Sequence, residues 1–113
     1  MSLKKRFLKS RPVCQVTFRL PLEAAGEAKE VVLLGDFNNW DQNNGFPMKK
    51  TKSYFTTTID LKPDQVYEFR YLIDGQFWEN DWEADRYVEN PLGVENSVVV
   101  TKNMKNWKTK LEV

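Results

Sequence analysis

Residues 67–78 read YEFRYLIDGQFW, and this stretch decides the fold. Tyr67, Phe69, Tyr71 and Ile73 alternate with Glu68, Arg70 and Leu72, the period-2 pattern of a strand that turns its first set toward a core. Asp74-Gly75 follows at once, the strongest short hairpin signal in the chain, because both residue types tolerate the positive φ of a tight β-turn. Gln76 to Glu79 is therefore expected to return antiparallel. Upstream, Phe55, Thr57, Ile59 and Leu61 form one face of a strand whose other side is Tyr54, Thr56, Thr58 and Asp60, and Pro63-Asp64 supplies the turn between the two. Earlier still, Val13 to Leu20 alternates, with Cys14, Val16, Phe18 and Leu20 on one side, until Pro21 ends it. Ala24 to Lys29 reads as a polar connection, and Glu30 to Leu34 as a strand apolar on both faces, hence central or covered. Downstream, a loop over Asn80–Glu95 precedes a last strand, Asn96 to Thr101, rich in valine. Six to eight short strands separated by turns predict an all-β, immunoglobulin-like antiparallel sandwich.

A chain of 113 residues has room for one core. Lys plus Arg number 17 and Asp plus Glu 16, so no domain-wide field steers a polyanion, and recognition rests on local contacts. With one cysteine, Cys14, and no histidine, neither a disulfide nor a zinc site is expected. The reading divides the chain into a basic N-terminal arm (1–12), the sandwich module (13–101) and a C-terminal tail (102–113) that Trp107 is expected to anchor. In the arm, Leu3, Phe7 and Leu8 are interleaved with Lys4, Lys5, Arg6, Lys9 and Arg11, which fits one short helical turn capped by Ser2. The arm lacks the apolar run of a secretory signal or a membrane span, so a cytoplasmic setting is the default.

The stretch 31–40, VVLLGDFNNW, runs an apolar strand into a turn of Gly35, Asp36, Asn38 and Asn39 and ends on Trp40. A tryptophan placed there serves either as a core residue or as an exposed platform at the sheet edge. A second aromatic site at Phe77 and Trp78 favours the platform, because a glucan offers apolar C–H faces edged by hydroxyls and needs rings flanked by hydrogen-bonding groups. Arg70, on the outward side of its strand, and Asn96 are candidates for those hydroxyls. For Arg70 the competing role is a surface ion pair with Glu68 or Glu79. Two platforms, each covering about half of an aromatic's ~150–250 Å² at about 25 cal/mol per Å², give weak binding, on the order of micromolar to millimolar.

At these residues the chain resembles a known family. GDFNNWD, YEFRYLIDGQFW and NPLGVENSVVV look like successive segments of carbohydrate-binding module family 48, the isoamylase N-terminal or early-set group, over roughly Val13 to Lys102. The resemblance implies an early-set immunoglobulin-like sandwich that binds α-1,4-glucans such as glycogen, starch or maltodextrin without a metal or cofactor. It places the first platform on Trp40 and the basic contact, usually lysine, on Arg70. The second platform falls on Trp78 if Phe77 is an insertion, or on Phe77 by ungapped counting. The leucine that inserts into the glucan matches Leu92 and the sugar-bonding asparagine Asn96, while Val94 stands where the family has threonine.

Functions of other classes fare less well. A glycosidase needs two carboxylates about 5–9.5 Å apart across a cleft, whereas Asp36, Asp74, Asp81 and Asp85 sit in turns where carboxylates ordinarily bond backbone. The barrel that carries catalysis in enzymes of the family takes about 250 residues. Nucleic acid is disfavoured by the charge balance, and a membrane by the lack of an apolar run. The sequence thus points to a non-catalytic α-glucan-binding module. The alternative is a structural or protein-interaction domain that docks to a glycogen-metabolising enzyme through Trp40, Trp78 and Trp82 without binding sugar.

Overall fold

A computed structural model describes residues 3–101; Trp107 and the rest of the expected tail lie outside them. The chain runs through β1 (Leu3–Phe7), β2 (Cys14–Pro21), α1 (Leu22–Ala25) and β3 (Val31–Gly35), then two 3-10 turns at Asp36–Asn38 and Gln42–Asn44. There follow β4 (Phe46–Pro47), β5 (Lys49–Lys50), β6 (Tyr54–Leu61), β7 (Val66–Ile73), β8 (Phe77–Glu79), β9 (Arg86–Glu89) and β10 (Glu95–Val100). One sheet has the order β1-β2-β6-β5 and the other β4-β3-β7-β10-β9, with β8 paired to β7. Every pairing is antiparallel. The expected all-β antiparallel sandwich is therefore what forms.

The alternating residues behave as their period demands. Cys14, Val16, Phe18, Leu20, Phe55, Ile59 and Leu61 from the first sheet meet Val31, Leu33, Phe69, Tyr71, Ile73 and Val99 from the second in one core. Phe18 and Phe69 join the layers edge-to-face, ring centroids 5.0 Å apart. Cys14 lies in this core, and its burial raises the thiol's pKa. Gly35 lets β3 close on β7, since a Cβ there would stand 2.5 Å from the Glu68 carbonyl oxygen.

Three elements differ from expectation. Residues 3–7 form no helical turn, and Ser2, the expected cap, lies outside the described residues: Leu3–Phe7 is a strand in register with β2, Leu3 facing Phe18 and Phe7 facing Cys14. Pairing to an existing edge satisfies the backbone and buries Leu3, which outweighs a one-turn helix whose nucleation is unfavourable. Within the expected loop 80–95, Arg86–Glu89 forms β9 against β10. Leu72 does point outward, yet it is buried, as are Leu34 and Val98, which share its side of the sheet and stand outside the central core. The outer face of this sheet thus carries its own small apolar layer, and the candidate site lies on it.

Candidate binding site

The loop after β3 is fixed by side chains that replace missing backbone partners. Asn38 Oδ1 accepts from the Gly35 N–H (3.0 Å), while its Nδ2 donates to the carbonyls of Leu33 and Asn44 (both 3.2 Å). Asp41 caps the next turn, accepting from Asn43 N–H and Asn44 Nδ2 at 2.9 Å each. Asn39 and Trp40 both sit in the left-handed region, at φ 56° and 57°. The Trp40 N–H donates to the Gly35 carbonyl (3.0 Å) and its indole Nε1 to Asp36 Oδ1 (3.1 Å), while Asp36 Oδ2 accepts the Glu68 N–H (2.7 Å). Trp40 is half-exposed and tethered at both backbone and ring.

Arg70 stands opposite Leu34 across β3–β7, on the outer face. Its guanidinium carbon is 5.6 Å from the Trp40 ring centroid and 4.6 Å from that of Trp78, and the two indoles are 6.3 Å apart at 60°. Arg70 therefore stacks against both tryptophans. It makes no ion pair among the described residues, because Glu68 and Glu79 are engaged elsewhere: Glu68 Oε1 accepts from Asn96 Nδ2 (3.0 Å) and Glu79 Oε1 from Trp82 Nε1 (3.0 Å). Burial lowers the Arg70 pKa, but a guanidinium stays protonated. Its Nε is buried with no hydrogen-bond partner.

Ser97 faces Phe69 across β10–β7, so one step along both strands brings Asn96 beside Arg70 on the same face. Asn96 is 5% exposed. A carboxylate only accepts, so Glu68 holds the amide with its NH₂ inward and leaves Oδ1 as the free end. That Oδ1 is buried and unpartnered. Arg70 Nε and Asn96 Oδ1 are thus an unpaired donor and an unpaired acceptor on neighbouring strands, both closed to solvent.

The β7–β8 register decides which aromatic joins this group. Ile73 pairs with Phe77 and Leu72 with Trp78, leaving Asp74–Gln76 as a three-residue connection. Asp74 and Gly75 take positive φ, 51° and 67°, and the Gln76 N–H closes the turn on the Ile73 carbonyl (3.0 Å). A two-residue loop would have set Phe77 opposite Leu72; the extra residue slips the strand by one and exchanges the faces. Trp78 therefore shares the face of Arg70, and Phe77, 63% exposed, turns to the other side.

Behind β8, a buried network absent from the sequence reading fixes the connection to β10. The Tyr71 hydroxyl donates to Asp81 Oδ2 (2.6 Å), the Asp81 N–H to Ser97 Oγ (2.8 Å), and the Ser97 hydroxyl to Asn80 Oδ1 (2.6 Å). Burial and the neighbouring Asp81 carboxylate hold the Tyr71 phenol well above its ordinary pKa. The turn aspartates are spent on backbone: Asp36 accepts from Glu68, Asp74 from Lys29 and Glu30, Asp81 from Glu83 and Asp85 from Val100.

Leu92 is 87% exposed in the turn joining β9 to β10, where Asn90 Oδ1 accepts the N–H groups of Leu92 (3.0 Å) and Val94 (3.1 Å). Among the described residues no ring contact or hydrogen bond joins it to the tryptophans. Trp40, Arg70, Trp78 and Asn96 are brought together; Leu92 enters only as the exposed tip preceding Asn96. Asp36 and Glu68, which orient Trp40 and Asn96, were missed. Their faces are legible in the sequence, but their partners depend on strand pairing.

No helix among the described residues is long and apolar enough to cross a membrane. The chain is 30% identical over 106 residues to the AMP-activated protein kinase subunit beta-1 of Rattus norvegicus, an alignment covering 88% of this chain and 37% of that protein. It is 34% identical over 77 residues to the beta-1 subunit of Sus scrofa, covering 68% of this chain and 58% of that one, and 32% identical over 74 residues to the beta-2 subunit of Mus musculus, covering 66% and 26%. The chain thus spans little more than a third of the rat subunit's length. Residues 18–106 match the family described as the glycogen recognition site of AMP-activated protein kinase, and the chain belongs to that family.

Proposed function

We propose that the outer face of the β3–β7–β10 sheet binds α-1,4-glucan chains, including glycogen, starch and maltodextrins, without acting on them. One observation carries this reading: Trp40 and Trp78, both part-exposed, flank the Arg70 guanidinium on one sheet face, with Asn96 on the neighbouring strand. A sugar's C–H face would cover indole while its hydroxyl edge accepts from the terminal N–H groups of the Arg70 guanidinium. Leu92 would close over the bound chain from the β9–β10 turn. Arginine in place of lysine keeps the charge and adds a planar fork that stacks between rings, which an ammonium does not. With the turn carboxylates committed to backbone, the module would hold the polymer and leave chemistry to other proteins.

Calorimetric titration with maltoheptaose and β-cyclodextrin tests this. Saturable heat with dissociation constants on the order of micromolar to millimolar is expected, with quenching of tryptophan fluorescence and little change between low and moderate salt. No heat and no fluorescence change at millimolar ligand would refute it and leave the docking alternative.

A further inference from the structure

The outer face of the other sheet, on the far side of the sandwich, is built from different chemistry. Lys4 and Arg6 of β1, Gln15, Thr17 and Arg19 of β2, and Thr58 of β6 line a shallow groove. Register makes this one surface: Lys4 faces Thr17, Arg6 faces Gln15, and Thr17 faces Thr58. Lys4 and Arg6 are two residues apart on one strand, about 7 Å, with Arg19 on the neighbouring strand.

The charges in this groove are not neutralised from within. Lys5 also borders it but is held by Asp85 at 2.6 Å, and Asp60, which faces Gln15, is taken by Arg11 at 3.2 Å. Lys4, Arg6 and Arg19 make no ion pair among the described residues. Arg19 packs its guanidinium on the Tyr54 ring, 4.8 Å from the centroid, and its Nε is buried without a hydrogen-bond partner. On the floor, Thr17 Oγ1 and Thr58 Oγ1 share one hydrogen bond of 2.8 Å, so one of the two hydroxyl hydrogens remains to be donated outward.

We propose that this groove binds a phosphoryl oxyanion. Lys4, Arg6 and the Thr17–Thr58 hydroxyl pair offer donors to several oxygens of one phosphoryl group, while Arg19, four residues along β2 from Gln15, stands at the other end of the groove. The three cations together match the two to three charges of a phosphomonoester or pyrophosphate. A carboxylate would occupy one fork and leave the other two cations unmatched. A long polyanion would find too short a patch, on a chain whose charges otherwise nearly cancel. The phosphoryl group comes either from a free small phosphate ester or from a phosphate carried on a polysaccharide, and the chemistry at the groove is the same.

The test is a titration of the full chain with inorganic pyrophosphate and with glucose 6-phosphate, followed by backbone amide NMR. Saturable shifts confined to β1, β2 and β6 are expected, at least tenfold weaker in Lys4→Gln/Arg6→Gln and in Arg19→Gln, with maltoheptaose affinity and urea midpoint unchanged. Shifts that fail to saturate, that persist in the variants, or that sodium sulfate and sodium chloride reproduce at equal ionic strength would overturn the site. In a Trp40→Ala background, retention on phosphorylated but not dephosphorylated starch assigns the group to a polysaccharide. Binding of the soluble esters alone assigns it to a small molecule. Binding of neither overturns the proposal. Because the variants lie on the sheet opposite the tryptophans, failure here leaves the glucan reading intact.

Discussion

Trp78→Ala separates the two faces of the β8 strand. The indole is 39% exposed and stacks one side on Arg70, so on the proposed function the remaining surface is what a sugar would cover. About half of an aromatic's ~150–250 Å², at about 25 cal/mol per Å², amounts to roughly 2–3 kcal/mol of lost binding, a ~30–150-fold rise in dissociation constant. Folding loses less: one cation–π contact and part of the cover over Leu72, together about 1 kcal/mol. The control is Phe77→Ala, next in sequence, 63% exposed and on the opposite side of the ladder. It should change affinity by less than about 0.5 kcal/mol. Maltoheptaose calorimetry and urea unfolding of both variants decide the matter. A large affinity loss in Phe77→Ala with a near-native Trp78→Ala would show that the functional register is the two-residue hairpin, and the reasoning would fail.

Other perturbations probe the support beneath the site. Phe69→Ala removes a fully buried ring packed on Phe18 and Tyr71 and should cost about 3–5 kcal/mol in urea unfolding; an effect under about 1 kcal/mol would mean the inward face is misassigned. Glu68→Ala leaves the buried Asn96 NH₂ without its acceptor and should cost about 1–3 kcal/mol of stability; it should also weaken maltoheptaose binding, because the amide no longer has one orientation, and Glu68→Gln, which keeps a carbonyl acceptor, should recover part of both. Tyr71 has its pKa raised on folding, so its contribution is fully present below pH ~10; as pH rises past that value the unfolded phenol ionises first and stability falls, by up to about 1.4 kcal/mol per pH unit. Tyr71→Phe should lose about 1.5–3 kcal/mol at neutral pH and flatten that alkaline fall, read from urea midpoints between pH 8 and 11.

How far the sequence could be read tracks the range of the interactions involved. The alternation in residues 14–20, 55–61 and 67–73 is local, and burial follows it strictly in the first, broadly in the second, and in the third until Leu72, which a second apolar layer covers from outside. The N-terminal strand escapes a local reading because Leu3, Phe7 and Leu8 also suit a helix at so short a length; what decides it is the vacant edge of β2, where Leu3 pairs with Phe18 and Phe7 with Cys14. The strand Arg86–Glu89 was missed for the same reason, since it is held by pairing with β10. On the outer face, the sequence singles out Trp40, Arg70, Leu92 and Asn96 as candidates, with Trp78 or Phe77 beside them; the structure groups Trp40, Arg70, Trp78 and Asn96 and leaves Leu92 at a separate turn tip. The choice between Phe77 and Trp78 was not available, because one extra residue either enters the strand or is absorbed by the turn, and only the register tells which. The Asp36 and Glu68 contacts link residues 32 and 28 positions apart, and no periodicity reports such pairs.

The same contacts bear on how weak surface chemistry would suffice for the proposed recognition. Trp40 occupies left-handed backbone at φ 57°, a conformation that costs a bulky residue about 1–2 kcal/mol. The loop maintains it through the Asn38 and Asp41 side-chain bonds and the Asp36–indole tether, so the strain is borne before any ligand arrives. Arg70 is held by stacking and Asn96 by Glu68, so neither has to be immobilised on binding. At about 0.5–1.5 kcal/mol per ordered side chain, fixing Trp40, Arg70 and Asn96 in advance keeps roughly 2–4 kcal/mol that a mobile site would forfeit. That is comparable to what one indole platform contributes. The buried, unpaired Arg70 Nε and Asn96 Oδ1 add a cost of their own, since an unsatisfied polar atom out of water destabilises the fold. On the proposed function, the strained loop and the idle pair place the cost of recognition in the folded protein, ahead of any ligand.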